Sequence, residues 1–488
     1  MSNLFVALQT SANALSVFQN ALSVTANNVA NASTPGYVTQ TLGLKALPFD
    51  LNSGLSGGVG ATQVESARDV YAERAVQVQS TGLGTAEQMA AILTPLQSSF
   101  DITGTTGIPG ALNKLYSAFS AWGSTPTDGS ARQAVIAAAQ SVAQAFQQES
   151  TVLSQAASDA DNQLTGLVGQ VNSLTAIIQK DNVQRQNGGG KDPSVDASLY
   201  NSLQQLSQLV PIQTLQQADG STTVLLAGRI PLVVGQFQYN ISSNVAVPQT
   251  PAPTNPTGPP SAQILDSSGQ DVTASITEGQ IGGLLQARNG VLAQFRGDSQ
   301  RQGQLSQLAQ SFADRVNALL VSGNVSDAVA ATPTTPAIPA VPGVPLFTYD
   351  PTQPSNIAES LSMSATMTAS QLAAINPGPP EVSNGIPLEL ANLATPQTAA
   401  DEIANVSYTQ YFGNIAASLG TAITDAQNNQ TTAQGLVTQA QDLRQQTSGV
   451  SLDSEAIKIL EFQRSYQAVS KVVTMLDSLT QTVIDMIR

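Results

Sequence analysis

Both ends of this 488-residue chain carry an apolar repeat that obliges them to be helices packed on other helices. Leu4, Leu8, Ser11, Leu15, Phe18, Leu22, Thr25 and Val29 are spaced alternately four and three apart, and six of the eight are apolar, which is a coiled-coil seam. The other end repeats the device: Leu452, Glu455, Ile459, Phe462, Tyr466, Val469, Val473, Leu476, Thr480, Val483 and Ile487 step by the same rule, with only Glu455 and Thr480 breaking the apolar run. A seam of two helices alone is marginal against the entropy of ordering them. Ala7, Ala12, Ala14, Ala21 and Ala26 flank the first seam and let other helices approach closely. The expectation is therefore that the ends gain order when neighbouring copies add surface. The assembly interface would bury Leu4, Leu8, Leu15, Phe18, Leu22, Val29, Ile459, Phe462, Tyr466, Val469, Val473, Leu476, Val483 and Ile487 between subunits.

Composition narrows the function classes. The chain has no Cys and no His, which removes the usual general bases, thiol nucleophiles and soft-metal ligands, so neither metal nor cofactor is expected. Its 33 carboxylates against 18 Lys and Arg make phosphate backbones and anionic membranes poor partners. No uninterrupted apolar run approaches the roughly 18 residues that span a bilayer. The first charged residue is Lys45, so the leader lacks the basic n-region of a cleaved signal peptide. The length allows three or four domains.

The first repeat must stop near Ala32. Pro35 disfavours helical backbone at Thr34, and Pro35-Gly36 suits the central positions of a type II turn, with Gly36 at positive φ. Asn27, Asn28 and Asn31 can cap the last free carbonyls, and a capped helix end is the plain reading. The same stretch, Asn27-Asn28-Val29-Ala30-Asn31 and then Thr34-Pro35-Gly36-Tyr37, resembles the N-terminal signature of the axial proteins of the bacterial flagellum: rod, hook and hook-associated proteins. Leu112 to Phe146 resembles the helical segment of the hook-associated branch, whereas rod and hook members are expected to turn to β-rich domains soon after the motif. Gly449 to Asp453 with Glu455, and Phe462 to Ala468, resemble the family's C-terminus, although Ser454 stands where a second acidic residue is commoner.

The rest of the chain reads in blocks. Residues 38–66 suggest a short hairpin, and Ala67 to about Ser99 a helix with Val70, Ala75, Val78, Leu83, Met89, Ile92, Leu93 and Leu96 as buried positions. Ala111 to Trp122 reads as a short helix. Ser130 reads as the cap of a long one ending near Arg185, with a seam from Val135 through Phe146, Glu149 and Leu153 to Ile178 that slips by one between Ala160 and Leu164. Val195 to Leu209 makes another helix, and hairpins around Asp219-Gly220 follow, with further strand edges at Ile264 to Asp266 and Ile276. Residues 248–260 are Pro-rich and read as irregular. Helix returns from Gly282 to about Val321. Pro333, Pro336, Pro339, Pro342 and Pro345 recur every third residue, a polyproline pattern read as a stiff spacer, and a last internal helix runs from about Pro396 to Gln446.

The fold class is thus mainly α with a β-rich middle domain. The expected division is a terminal coiled-coil stem (1–45 with 448–488), a helical bundle (46–190 with 280–323 and 396–447), an outer β-rich domain (191–279) and a Pro-rich irregular segment (324–395). The resemblance implies a structural, non-enzymatic subunit that joins hook to filament outside the cell. It would meet hook protein on one side and a second junction protein or filament on the other, forming a ring or helical layer. Export would be unfolded, through the flagellar secretion apparatus with a chaperone, and the stem would line an inner tube. It also implies Asn27, Asn28, Asn31, Pro35, Gly36 and Tyr37 as family motif residues. A hook or rod subunit is the alternative, and a secreted glycan-acting enzyme or adhesin with a coiled-coil stem a second one. For chemistry the candidates are weak. Asp159 with Asp161, and Asp401 with Glu402, do not share a helix face and read as solvated surface. Gly188-Gly189-Gly190-Lys191 reads as a joint, since no strand precedes it and no Ser or Thr follows the Lys.

Overall fold

The computed structural model describes residues 2–48, 57–100, 105–189, 192–245, 260–299, 301–330, 332 and 336–487. Helix α1 (Ser2–Ala30) leads into an antiparallel hairpin of β1 (Gln40–Ala46) and β2 (Val59–Ser66), whose register shifts between Leu42 and Leu44. Four helices follow: α2 (Val70–Leu93), α3 (Gly107–Ser124), α4 (Gly129–Gln184) and α5 (Pro193–Leu209). A four-stranded antiparallel meander then forms from β3 (Ile212–Gln216), β4 (Thr222–Leu226), β5 (Ile230–Val234) and β6 (Phe237–Gln238). Strand β7 (Ser242–Asn244) pairs with β8 (Gln263–Leu265), before α6 (Gly279–Leu285), a π-helical stretch, α7 (Ala293–Arg296) and α8 (Gln304–Ser322). Short pairs β9 (Asn324–Ser326) with β10 (Val341–Pro342), and β11 (Phe347–Thr348) with β12 (Ser362–Met363), bracket α9 (Ile357–Ser360). The chain closes with α10 (Gly385–Asn392), α11 (Tyr408–Ser448) and α12 (Leu452–Ile487). Among the described residues no helix is long and apolar enough to cross a membrane.

Two compact units divide the chain. One holds residues 1–83, 170–240 and 432–488, and the other 84–169 and 241–431. This cut differs from the expected domains: residues 191–240 go with the termini, and 241–279 with the second unit.

In the first unit α1 packs along α12, and the end of α4 holds the meander. Asn182, fully buried, donates to the carbonyls of Thr222 (2.8 Å) and Gly235 (3.0 Å) and accepts from the Thr222 amide (2.8 Å). In the second unit the core is aromatic. Phe100 stacks on Phe412 at 5.9 Å, and Phe312 meets Tyr408 edge-on at 5.4 Å and Phe347 at 5.8 Å. The long seam of α4 is buried at Val135, Ala139, Val142, Phe146, Glu149 and Leu153, then at Leu164, Val171 and Ile178, with Ala157 and Ala160 between them absorbing the slip.

Several expectations are corrected. Asp128, not Ser130, starts α4: its carboxylate accepts from the Ser130 amide at 2.8 Å, because Ser130 already lies within the helix. Val70 and Val78 are exposed. The helix from Gly282 to Val321 is broken between α7 and α8, where Gly303 has φ +34° and any Cβ would collide with the Arg296 backbone. Ile276 is a buried loop residue rather than a strand edge. Helix α11 begins at Tyr408 rather than Pro396, because Ala404 and Asn405 are left-handed and Asp401 is tied to Arg315 (2.8 Å) and Thr398 (2.8 Å). The Pro-rich stretch does not stand free as a spacer. Ile338 exchanges both amide bonds with Val329 (2.9 and 2.8 Å), and Val341 faces Ser326, since the residues between prolines keep their N–H donors. Asp161 is not solvated surface but a two-point partner of buried Arg288 (2.9 and 3.1 Å). The Pro-rich residues 248–259, together with Pro333, Gly190 and Lys191, lie outside the described residues.

Candidate assembly interface at the paired termini

Helix α1 can lie close against α12 because small residues face inward. Ala14 and Ala21 are buried, and Thr25, also buried, returns its hydroxyl to the Ala21 carbonyl (2.9 Å) and so needs no other partner. The seam residues Leu4, Leu8, Leu15, Phe18 and Leu22 are half-buried along this helix, while Val29 is exposed. On α12 the half-buried stripe is Ile459, Phe462, Val469, Val473, Leu476 and Val483, at the spacing of a face turned to one neighbour. Tyr466 sits at its edge, exposed. The side chain of Ile487 lies outside the described residues.

One end of the pair is closed by a buried polar node. Asn28, 1% exposed, donates to the Gln40 carbonyl and to Glu455 Oε2, both at 2.8 Å, and accepts from the Gln40 amide (3.0 Å) and the Tyr37 hydroxyl (2.9 Å). Lys458 Nζ holds the other oxygen of Glu455 at 2.7 Å. Burial, with the Glu455 carboxylate next to it, raises the Tyr37 pKa, which keeps the hydroxyl a donor. The polar break in the second seam is thus the point where the two ends of the chain meet.

The motif turn makes a second junction. The Tyr37 amide donates to the Thr34 carbonyl (3.1 Å) around Pro35 and Gly36, with Gly36 at φ +75°, the geometry of a type II turn. A Cβ on Gly36 would collide with the Ala197 carbonyl, so the turn sits directly on α5. Arg68 collects the surroundings: it donates to the Gly36 carbonyl (2.7 Å) and to Asp196 (2.7 Å), pairs with Glu73, and lies 3.8 Å over the Tyr200 ring. Arg444 from α11 reaches Gln204 (2.7 Å) and Glu73 (3.4 Å). Asn31 bonds back to Asn27, and Thr34 to Asn31 (3.1 Å), closing the helix end. The arrangement is fully engaged in holding itself together.

Outward from the α1 face, α12 carries a second apolar ladder that the seam reading missed. Ile457 (66% exposed), Leu460, Val472, Met475 (64%), Leu479 and Met486 are all exposed. They form two groups offset from the seam, Ile457 with Leu460 three apart and Val472, Met475, Leu479 and Met486 three, four and seven apart, separated by a stretch with Arg464, Gln467 and Lys471, and both groups were visible in the sequence. A wide apolar stripe on a helix already paired on one side marks a second contact face.

Three family profiles match in the order this architecture requires. The basal body rod protein profile covers residues 8–37, the flagellar hook-associated protein FlgK helical domain profile residues 93–329, and the basal body rod FlgEFG C-terminal profile residues 444–486. The flagellar hook-associated protein 1 of Bacillus subtilis is 25% identical over 522 residues, spanning 99% of both chains. These matches identify the chain as a flagellar axial protein similar to hook-associated protein 1 along its whole length. The Salmonella typhimurium hook-associated protein 1 is 27% identical over 327 residues, covering 64% of this chain and 56% of that one. In fold, the chain is similar to the hook junction protein FlgK of Burkholderia pseudomallei, with TM-score 0.61 and 17% identity, over 77% of this chain and 100% of that one. The chain is a structural protein of the flagellum, and the rod-type profiles fall on the two terminal segments that α1 and α12 form.

Proposed function

We propose that this chain is a junction subunit between hook and filament, attached through its paired terminal helices outside the cell. What carries the reading is the second apolar ladder on α12, left exposed when the first faces α1. Burying the roughly half-exposed side chains of Ile457, Leu460, Val472, Met475 and Leu479 yields about 4–8 kcal/mol gross, from roughly 1.5–3 kcal/mol for each fully exposed side chain. Association costs about 4–15 kcal/mol, so a single contact is weak and a layer of copies touching on several sides is firm. The seam residues Leu4 to Leu22 and Ile459 to Val483 hold the pair and complete the interface at their half-buried edges. Hook protein lies on one side of the layer and a second junction protein or filament on the other. Before assembly, the ladder is a surface for an export chaperone to cover.

Hydrogen exchange on the purified chain alone and after addition to isolated hooks tests this. The expected result is that α12 amides from Ile457 to Met486 gain protection on hooks. Unchanged protection in chain that has sedimented with hooks would overturn attachment through the termini.

A further inference from the structure

Beside the terminal pair, within the same unit, α2 and α11 enclose an open groove of about 510 Å³. Its walls are Ala75 and Gln79 on one side and Leu436, Ala440 and Leu443 on the other, and Val78 is exposed on the same stretch of α2. Leu436 and Leu443 lie one heptad apart, so the floor accepts roughly two turns of a helix presenting residues at i, i+3 and i+7. Asp442 stands on its rim without an ion pair among the described residues.

The second ladder of α12 has the matching form. Val472, Met475 and Leu479 are exposed at i, i+3 and i+7, and Lys471, one position aside, has no ion pair among the described residues. The ladder cannot fill the groove of its own molecule. Helix α12 is continuous and packs along α1, which leaves Val472 about 30 Å along the helix from Leu452.

We propose that the α2/α11 groove receives the Val472–Met475–Leu479 ladder of a neighbouring copy of this chain, with that copy's Lys471 paired to Asp442. Apolar spacing, groove length and charge sign agree on this occupant. Groove and ladder are different surfaces of one molecule, so the contact is head-to-tail and propagates into a ring or helical layer rather than closing as a dimer. The inference rests on the junction reading above and adds which surface of a copy meets which.

The chain has no Cys, so introduced thiols report without background. Full-length Gln439→Cys and Met475→Cys chains are mixed, added to isolated hooks and gently oxidised. The expected product is a disulfide-linked dimer on hooks, absent in solution and absent when Ser120→Cys replaces Gln439→Cys. Chains that sediment with hooks like the unmodified protein but do not cross-link would overturn the groove assignment while leaving hook attachment standing. Failure of the unmodified chain to sediment with hooks would remove the junction reading and this inference with it. Asp442→Lys and Lys471→Asp should each weaken assembly about three- to fivefold, and an assembly made of the double swap should recover. A double swap no better than either single change would overturn the charge pairing.

Discussion

At the scale of single residues, stability in this chain concentrates in buried polar groups. Asn28→Ala leaves Glu455 with Lys458 alone and strips the Gln40 amide of its acceptor. A loss of about 2–4 kcal/mol in urea unfolding is expected. Glu149 behaves differently. It stands in an otherwise apolar seam, its Oε2 is buried without a partner among the described residues, and burial raises its pKa from 4.5 to about 7. Below pH 4.5 both folded and unfolded chains hold the proton. Between 4.5 and 7 the unfolded chain loses it first, so stability falls as pH rises, with about 3 kcal/mol lost above pH 7. Glu149→Gln should therefore be more stable than the parent at pH 8, with the difference vanishing by pH 4.5; urea midpoints across that range measure it. The positions of both Glu455 and Glu149 were legible as polar breaks in apolar repeats. Their partners were not, because a repeat records which way a side chain faces and nothing about what stands opposite, and Asn28 lies 427 positions from Glu455.

Elements were legible where burial and apolarity coincide, as in α4, α5, α8 and the meander. They were misread where polar residues take the buried face. On α2 the exposed Val70 and Val78 suggested a core stripe, but the inward face is Ala72, Glu73, Val76, Gln77, Ser80 and Thr81. Two of those polar groups are satisfied from outside the helix, Glu73 by Arg68 and Thr81 by giving its hydroxyl to the Ser207 carbonyl (2.7 Å), so hydrophobic periodicity points the wrong way. The motif turn shows the reverse case, a local rule strong enough to read directly. Its demand for positive φ and its contact with α5 coincide at Gly36. Gly36→Ala should cost about 2 kcal/mol or more, from the strained φ and from lifting the turn off α5, with Arg68 losing its carbonyl partner. Thermal unfolding followed at 222 nm, compared with a Pro35→Ala control that leaves φ unconstrained, separates the turn's conformation from simple loss of a loop residue.

For the whole molecule, the two apolar ladders of α12 make separable demands. One faces α1 and decides whether the ends pair; the other faces out and decides whether copies join. Ala21, 1% exposed on the packed face of α1, marks the first demand. Ala21→Leu forces extra volume into a contact made by small side chains and should unpair the ends, lowering stability by about 1–3 kcal/mol. Ile457→Asp with Leu460→Asp marks the second. Both side chains are exposed, so two carboxylates there leave urea unfolding of the isolated chain within about 0.5 kcal/mol of the parent. On hooks the same carboxylates would have to be buried without partners, at several kcal/mol, and co-sedimentation should fall by at least tenfold. If the double variant instead bound hooks as the parent does, the outward ladder near the start of α12 would not be part of the junction. Binding lost together with stability would mean that the two faces are not independent. The expected dissociation between the two measurements follows from the out-of-phase spacing of the ladders: a helix with apolar residues on two faces can spend one on its own chain and keep the other for its neighbours.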